Sequence, residues 1–153
     1  SGKIVSAFDI ASVLAIGADW ANSARGFMFA IGCIQSQSCH TNRCPTGVAT
    51  QDPLRQRALV VPDKAQRVFH FHRNTLKGLA EMLAAAGLEH PSQLQAKHLV
   101  RRVSATEIKL FSQLHVFLKP GELLTGEVNG EFYSRMWQMA RADSFEPNVI
   151  AAA

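Results

Sequence analysis

The sequence predicts an α/β chain that is mainly helical when taken alone. Three observations carry this. The first 32 residues read as helix, extended segment, helix, a βα rhythm whose first strand is cut off. Residues 65–83 hold an apolar stripe at three-and-four spacing. Capping and stop residues then mark further short helices toward the end of the chain.

The elements follow in order. Ser6 with Asp9 three residues on forms a capping box with a short acid. Ala7, Ile10, Ala11 and Leu14 then recur at helical spacing, and Gly17 stops the helix. "ADWANSA" (18–24) is short and extended, and "RGFMFAIG" (25–32) is a second short helix. Residues 33–60 show little periodicity and are rich in Ser, Thr, Asn, Gln and Pro. A loop of that length needs something to organise it, because unstructured connections beyond about 12–15 residues are uncommon. Asp63 after Pro62 is the expected N-cap of the clearest helix. Its stripe is Ala65, Val68, Phe69, His72, Leu76, Leu79, Ala80 and Leu83, and Gly87 ends it. "HPSQL" starts a turn capped by Ser92. Ser104 and Glu107 predict a capped helix over "IKLFSQLHVFL", broken by Pro120-Gly121. A last helix runs from about Gly130 to Arg141, and the tail "EPNVIAAA" is expected to fray.

Bulk properties exclude several classes. With 153 residues, 47% hydrophobic and 18% charged, the chain fits one globular domain with a real core. No apolar run approaches the ~20 residues of a membrane span, and Asp9 and Asp19 bracket the first apolar segment, unlike a signal peptide. The net charge of +4 invites a nucleic-acid reading. The basic residues Arg55, Arg57, Lys64, Arg67, Arg73 and Lys77 are scattered among acids, however, so a solvated helix face is expected and no nucleic-acid partner.

The chemistry-bearing residues are three cysteines, Cys33, Cys39 and Cys44, in the pattern C-x5-C-x4-C. An odd count argues against a disulfide framework and for a reducing, cytoplasmic setting, where clustered thiols bind metal or do redox work. No single regular helix points all three to one spot, whereas an irregular loop can wrap a centre. Zinc prefers four ligands with C-x2-C knuckles, which are lacking. Iron–sulfur clusters take cysteine thiolates at wider spacings, and Pro45 after Cys44 matches a Cys-Pro ending. Iron–sulfur, zinc and inert buried thiols all remain open on spacing alone.

"GCIQSQSCHTNRCPTGVATQD" (32–52) closely resembles the cluster segment at the end of the flavin barrel of glutamate synthases, and more narrowly the FMN-binding glutamate synthase family. The resemblance covers the chain, strongest over 1–53 and weaker after Gly87. It implies that Cys33, Cys39 and Cys44 bind a [3Fe-4S] cluster. It further implies a C-terminal piece of an FMN-binding (β/α)8 barrel, from about the end of strand 7 to helix 8, with a helical extension. The parts would be the barrel end (1–32), the cluster loop (33–60) and the helical region (61–153). "SGK" is similar to the loop after strand 7, "DWANSA" to strand 8, and "RGFMFAIG" to the short helix facing the flavin phosphate. Such barrels bind phosphate at these loops. Gly2, Lys3, Ser23, Ala24, Arg25 and Gly26 are therefore the expected FMN-phosphate residues. The family's glutamate synthases proper have a small residue where Arg25 stands.

The resemblance also implies partners: the remaining N-terminal part of the barrel, an electron-donor subunit or ferredoxin, and 2-oxoglutarate. The cluster would pass electrons to FMN for reduction of 2-iminoglutarate to glutamate, with no acid–base role for the cysteines. N-methylglutamate synthesis is the related alternative. A piece with about one and a half strands cannot close a barrel, so the chain alone is expected to be inactive. A module holding zinc or no metal, with the helices as a docking surface, is the contrasting reading. Among the remaining residues, His40 is expected beside the cluster or exposed rather than ligating. His70 and His72 fall on different helix faces. Phe111, His115, Phe117, Trp20 and Trp137 are expected to pack.

Overall fold

The computed structural model describes residues 2–126, 128 and 130–148. Ser1 and most of the tail lie outside the described residues. The chain is mainly helical, as expected, with one two-stranded sheet.

Helix α1 (Ala7–Ala15) starts as the sequence dictates. The Ser6 hydroxyl accepts from the Asp9 amide at 3.2 Å, and the Asp9 carboxylate accepts from the Ser6 amide at 2.8 Å. These bonds hold the Asp9 carboxyl below its usual range, the Ser6 amide first and the Ser6 hydroxyl next. Helix α2 (Arg25–Ala30) has no side-chain cap on its N-terminus. The segment between α1 and α2 forms no strand. This corrects the expected strand in 18–24. A strand needs a neighbour to take its backbone hydrogen bonds, and among the described residues none lies beside it. Trp20, expected to pack, is 74% exposed there.

Helix α3 (Pro53–Gln56) was not anticipated. Its signal was Asp-Pro: Asp52 accepts from the Leu54 amide at 2.9 Å as N-cap, and Pro53 takes the first position, where no N–H is needed. Helix α4 (Val61–Ala85) is the backbone of the molecule. Its N-cap is Val60, with Asp63 inside the first turn rather than capping it. There Asp63 complements the helix dipole. The buried stripe also differs from the expected one. Lys64, Val68, Phe71, Thr75, Leu79, Met82 and Leu83 face inward, while Ala65, Phe69, His72, Leu76 and Ala80 are exposed. Two apolar faces run along α4, and contact with α1 and α2 chooses between them.

Ala11 and Ala15 of α1 meet Leu79 and Leu83 of α4, and Leu94 closes the cluster with Leu99 and Leu88 beside it. Each buried leucine contributes about 1.5–3 kcal/mol. Phe27 of α2 packs edge-on against Phe71 of α4 at 5.2 Å. Three helices end in the same way. In α1, α2 and α4 the residue after a positive-φ glycine bonds back to the carbonyl five residues earlier: Ala18 to Val13, Cys33 to Met28, Leu88 to Leu83.

After α4, single 3-10 turns at Pro91–Gln93 and Ala96–His98 lead into a hairpin. His90, not Ser92, caps the first turn. Strand β1 (Val100–Arg102) pairs antiparallel with β2 (Ile108–Leu110). This corrects the capped helix expected after Ser104. Ser104–Thr106 instead form the bend of the hairpin, and only α5 (Phe111–Leu114) is helical. Backbone pairing of Ile108–Leu110 with Val100–Arg102 replaces local capping here. Helices α6 (Glu122–Thr125) and α7 (Glu131–Met139) follow the expected break at Pro120-Gly121. Phe111 is buried, but His115, Phe117 and Trp137 are exposed, contrary to expectation. The described part of the tail turns back, and the Asn148 amide donates to the Met139 carbonyl at 2.8 Å. Among the described residues no helix is long and apolar enough to cross a membrane.

Candidate metal centre

The cysteine segment begins at a helix stop. Gly32 takes φ +107, and the Cys33 amide closes the end of α2 by donating to Met28 at 2.9 Å. Cys33 is thus fixed by its backbone and half-buried. Beyond it the chain turns repeatedly. Gln35, Gln37 and Asn42 all adopt left-handed φ between 55° and 61°, a region that costs a non-glycine residue on the order of 1–2 kcal/mol. Cys39 opens a single 3-10 turn (Cys39–Thr41) and is exposed with His40.

The far end is knotted. Asn42 Oδ1 accepts from the Gln51 amide and, at 2.9 Å, from the Thr50 hydroxyl. Thr50 Oγ1 accepts from the Asp52 amide at 3.1 Å, and Gln56 Nε2 donates to the Thr50 carbonyl at 2.8 Å. Gly47 lies so close to α3 that a Cβ there would strike the Arg55 carbonyl. Cys44, 6% exposed, sits inside this knot. The Thr46 hydroxyl, 3.5 Å from its sulfur, and the backbone amides of Ala49, Thr46 and Val48 lower its thiol to about 7. Hydrogen bonds to the charged form favour it, so the surroundings of Cys44 favour its thiolate over that of a free thiol. Asn42, Thr50 and Gln56 were missed in the sequence. The signal was an asparagine, tolerant of left-handed φ, between the second and third cysteines.

The three thiols are free, and by type they fit an iron–sulfur cluster. The structure does not draw them together. Among the described residues no group of three or more His, Cys, Asp or Glu converges to hold a metal ion. His70 binds Arg73 at 3.2 Å, and His72 lies against the Phe27 ring; they share no site.

The expected phosphate residues fall in one neighbourhood. Ser23 Oγ donates to the Ile4 carbonyl at 2.7 Å and so joins the start of the chain to the approach to α2. Gly2, Lys3, Ala24 and Arg25 are exposed around this junction. Gly26 is buried: a Cβ there would meet Phe71 Cζ and Ser23 Oγ at 2.8 Å. Its missing side chain lets α2 dock on α4.

A family profile described as a conserved region in glutamate synthase matches residues 1–89. The chain belongs to the glutamate synthase family. The match spans α1, α2, the whole cysteine segment and α4. A glutamate synthase large subunit-like protein of Bacillus subtilis is 43% identical over 119 residues, covering 77% of this chain and 23% of that protein. An NADH glutamate synthase of Schizosaccharomyces pombe is 35% identical over 83 residues, 54% of this chain and 4% of its own. A ferredoxin-dependent glutamate synthase of Synechocystis is 35% identical over 89 residues, 58% of this chain and 6% of its own. The chain therefore spans less than a quarter of each of these three relatives. No solved structure matches it significantly.

Proposed function

We propose that this chain is the cluster-bearing end of a glutamate synthase-type flavoprotein, with Cys33, Cys39 and Cys44 as ligands of a [3Fe-4S] cluster. The observation that carries the reading is that the family match encloses the whole cysteine segment, where the Thr46 hydroxyl lies 3.5 Å from the Cys44 sulfur and favours its thiolate. The left-handed turns between the cysteines support it, since such backbone clusters where a chain is bent to a function. When bound, the cluster and FMN supply the electron transfer and hydride chemistry of reductive glutamate formation from 2-oxoglutarate.

The chain's own residues position. The Met28–Cys33 bond sets where the segment leaves α2, and the Asn42–Thr50 knot holds Cys44. The uncapped amides of α2, with Lys3 and Arg25 exposed beside them, suit a flavin phosphate, for which Gly2, Ser23 and Ala24 supply close backbone. Turnover is assigned to these elements combined with the rest of a flavin barrel. The described residues hold one two-stranded hairpin, too little sheet to enclose a substrate. The donor is assigned to a separate subunit or ferredoxin, in a reducing cytoplasmic setting.

Anaerobic purification followed by iron, acid-labile sulfide and EPR measurements tests this. Three iron per chain with a signal from the oxidised cluster supports it, and Cys39→Ser abolishes both. A colourless protein with stoichiometric zinc, or with neither metal, overturns it in favour of a non-catalytic module. Product analysis with ammonia or methylamine as amino source separates glutamate from N-methylglutamate formation.

A further inference from the structure

We propose that the free edge of β1 takes an extended acidic segment of another protein as a third strand. The inference stands apart from the cysteine segment and does not depend on it.

The hairpin leaves an edge open. Two strands alone are marginal in water, and all three residues of β1 are exposed. The two edges differ. On β2 the Leu110 amide is already taken by Gln113 Oε1 at 2.8 Å, and the chain turns at once into α5. On β1 the bonds to the neighbouring strand fall at alternate residues. The Leu99 carbonyl accepts from the Phe111 amide at 2.9 Å, and the Val103 amide donates to Glu107 at 3.0 Å. In an antiparallel pair that alternation turns the N–H and C=O of Val100 and Arg102 to the other side. Among the described residues nothing meets them there. Such an edge is a template for a further strand.

Charge says what kind of strand. Residues 97–109 hold Lys97, Arg101, Arg102 and Lys109 against Glu107 alone, a surplus of three in a chain whose net charge is +4. The register sets Arg101 directly opposite Lys109, a like-charge pair that disfavours the hairpin. Glu107 holds Lys109 at 3.1 Å, and the Arg102 guanidinium donates to the Ala105 carbonyl at 3.0 Å. Arg101 meets no carboxylate among the described residues. A carboxylate on an added strand would answer it. Beside Val100 the edge adjoins an apolar groove of about 370 Å³, lined by Phe8, Ala11, Leu83, Leu94 and Leu99. Side chains alternate between the two faces of a strand, so the fitting segment carries acids on one face and apolar residues on the other.

Charge also argues against a second copy, whose β1 would bring its own arginines to the same edge. This chain has no acidic strand to lend, since none of its 12 Asp and Glu residues stand at neighbouring or alternate positions. The occupant is therefore a segment of another protein.

The test uses the protein in its full encoded length and a short fluorescent peptide of alternating Glu and Val. Binding is read by anisotropy, with hydrogen exchange of residues 99–103 and melting temperature in parallel. The peptide binds and slows exchange at Val100 and Arg102, and N-methylating its alternate amides abolishes both effects. Arg101→Glu weakens the acidic peptide by about tenfold or more, and a peptide of alternating Lys and Val binds that variant instead. Val100→Pro removes an outward N–H after an extended Leu99 (φ −114, ψ 139), a place where an edge strand tolerates proline. It abolishes binding, and Val100→Ala does not. Absence of binding overturns the proposal. So does binding indifferent to N-methylation, which would mark a charged patch rather than strand pairing. Slow exchange at 99–103 before any peptide is added also overturns it, since the edge is then covered by the protein's own chain or a second copy. If Val100→Pro does not fold, the N-methylated peptide decides.

Discussion

Cys33 and Cys44 bound the same stretch of twelve residues, yet opposite kinds of structure hold them. Cys33 is fixed by the end of a helix, through one backbone bond and a glycine in the left-handed region. Cys44 is fixed by side chains, through Asn42, Thr50, Gln56 and the Thr46 hydroxyl. Between them, Ser36 and Ser38 bond each other at 2.9 Å and Thr41 bonds Ser38 at 2.7 Å, all local contacts. Cys39 stands on that exposed middle. The segment is a span tied at both ends, with its central thiol exposed. A helix stop is cheap in sequence and indifferent to pH. A side-chain knot costs specific residues but also sets the chemistry of the thiol it encloses.

Four substitutions sharpen or break this contrast. The largest effect belongs to neither anchor. Leu83→Ala, in the α1–α4 core, costs about 2–5 kcal/mol in urea unfolding, and it leaves the thiol titration of Cys44 unchanged if the knot is autonomous. Gly47→Ala forces a side chain into the Arg55 carbonyl at φ +75. It costs about 1–3 kcal/mol and raises the alkylation rate of Cys44, while Cys33 reacts as before. An equal rise at both cysteines would show that the two anchors are coupled.

Ser6→Ala removes the cap of α1 and costs about 1 kcal/mol. Its pH dependence has a defined sign. Asp9 is lowered in the folded state, so its stabilisation is complete above the ordinary carboxyl value of 3.8 and is lost as pH falls through the lower folded value. Urea midpoints of wild type and variant should therefore converge in acid. Thr46→Val has the smallest effect on stability but a clear spectroscopic one. The Cys44 thiol, lowered from 9.0 to about 7 with Thr46 as the first cause, moves back up. Thiolate absorbance against pH reads the change. In wild type the stabilisation from Cys44 is full above 9.0 and lost as pH falls through about 7. A variant that titrates like wild type would assign the shift to the backbone amides of Ala49, Thr46 and Val48.

Much of this was legible in the residues. The Ser6–Asp9 box, the stops at Gly17 and Gly87, the break at Pro120-Gly121 and the helix ending near Arg141 are local features, closed by hydrogen bonds within a few residues. The cysteine segment likewise pointed, through its neighbours, to the family. Local sequence is enough wherever the competing states differ within one turn of chain.

The misreadings share one cause. Ser104 and Glu107 make a plausible helix start, but Ile108–Leu110 find a partner strand at Val100–Arg102. "ADWANSA", a strand by resemblance, finds no partner among the described residues. Helix α4 offers two apolar faces, and which is buried depends on where Phe27 and Ala11 arrive. The sequence by itself determined the capped and stopped helices, the thiol pattern and the family, because these are written in adjacent residues. Only the tertiary structure decided the buried face of α4, the hairpin and the knot around Cys44. Each of these is a pairing between distant residues, whose free energy exists only once the chain has brought them together.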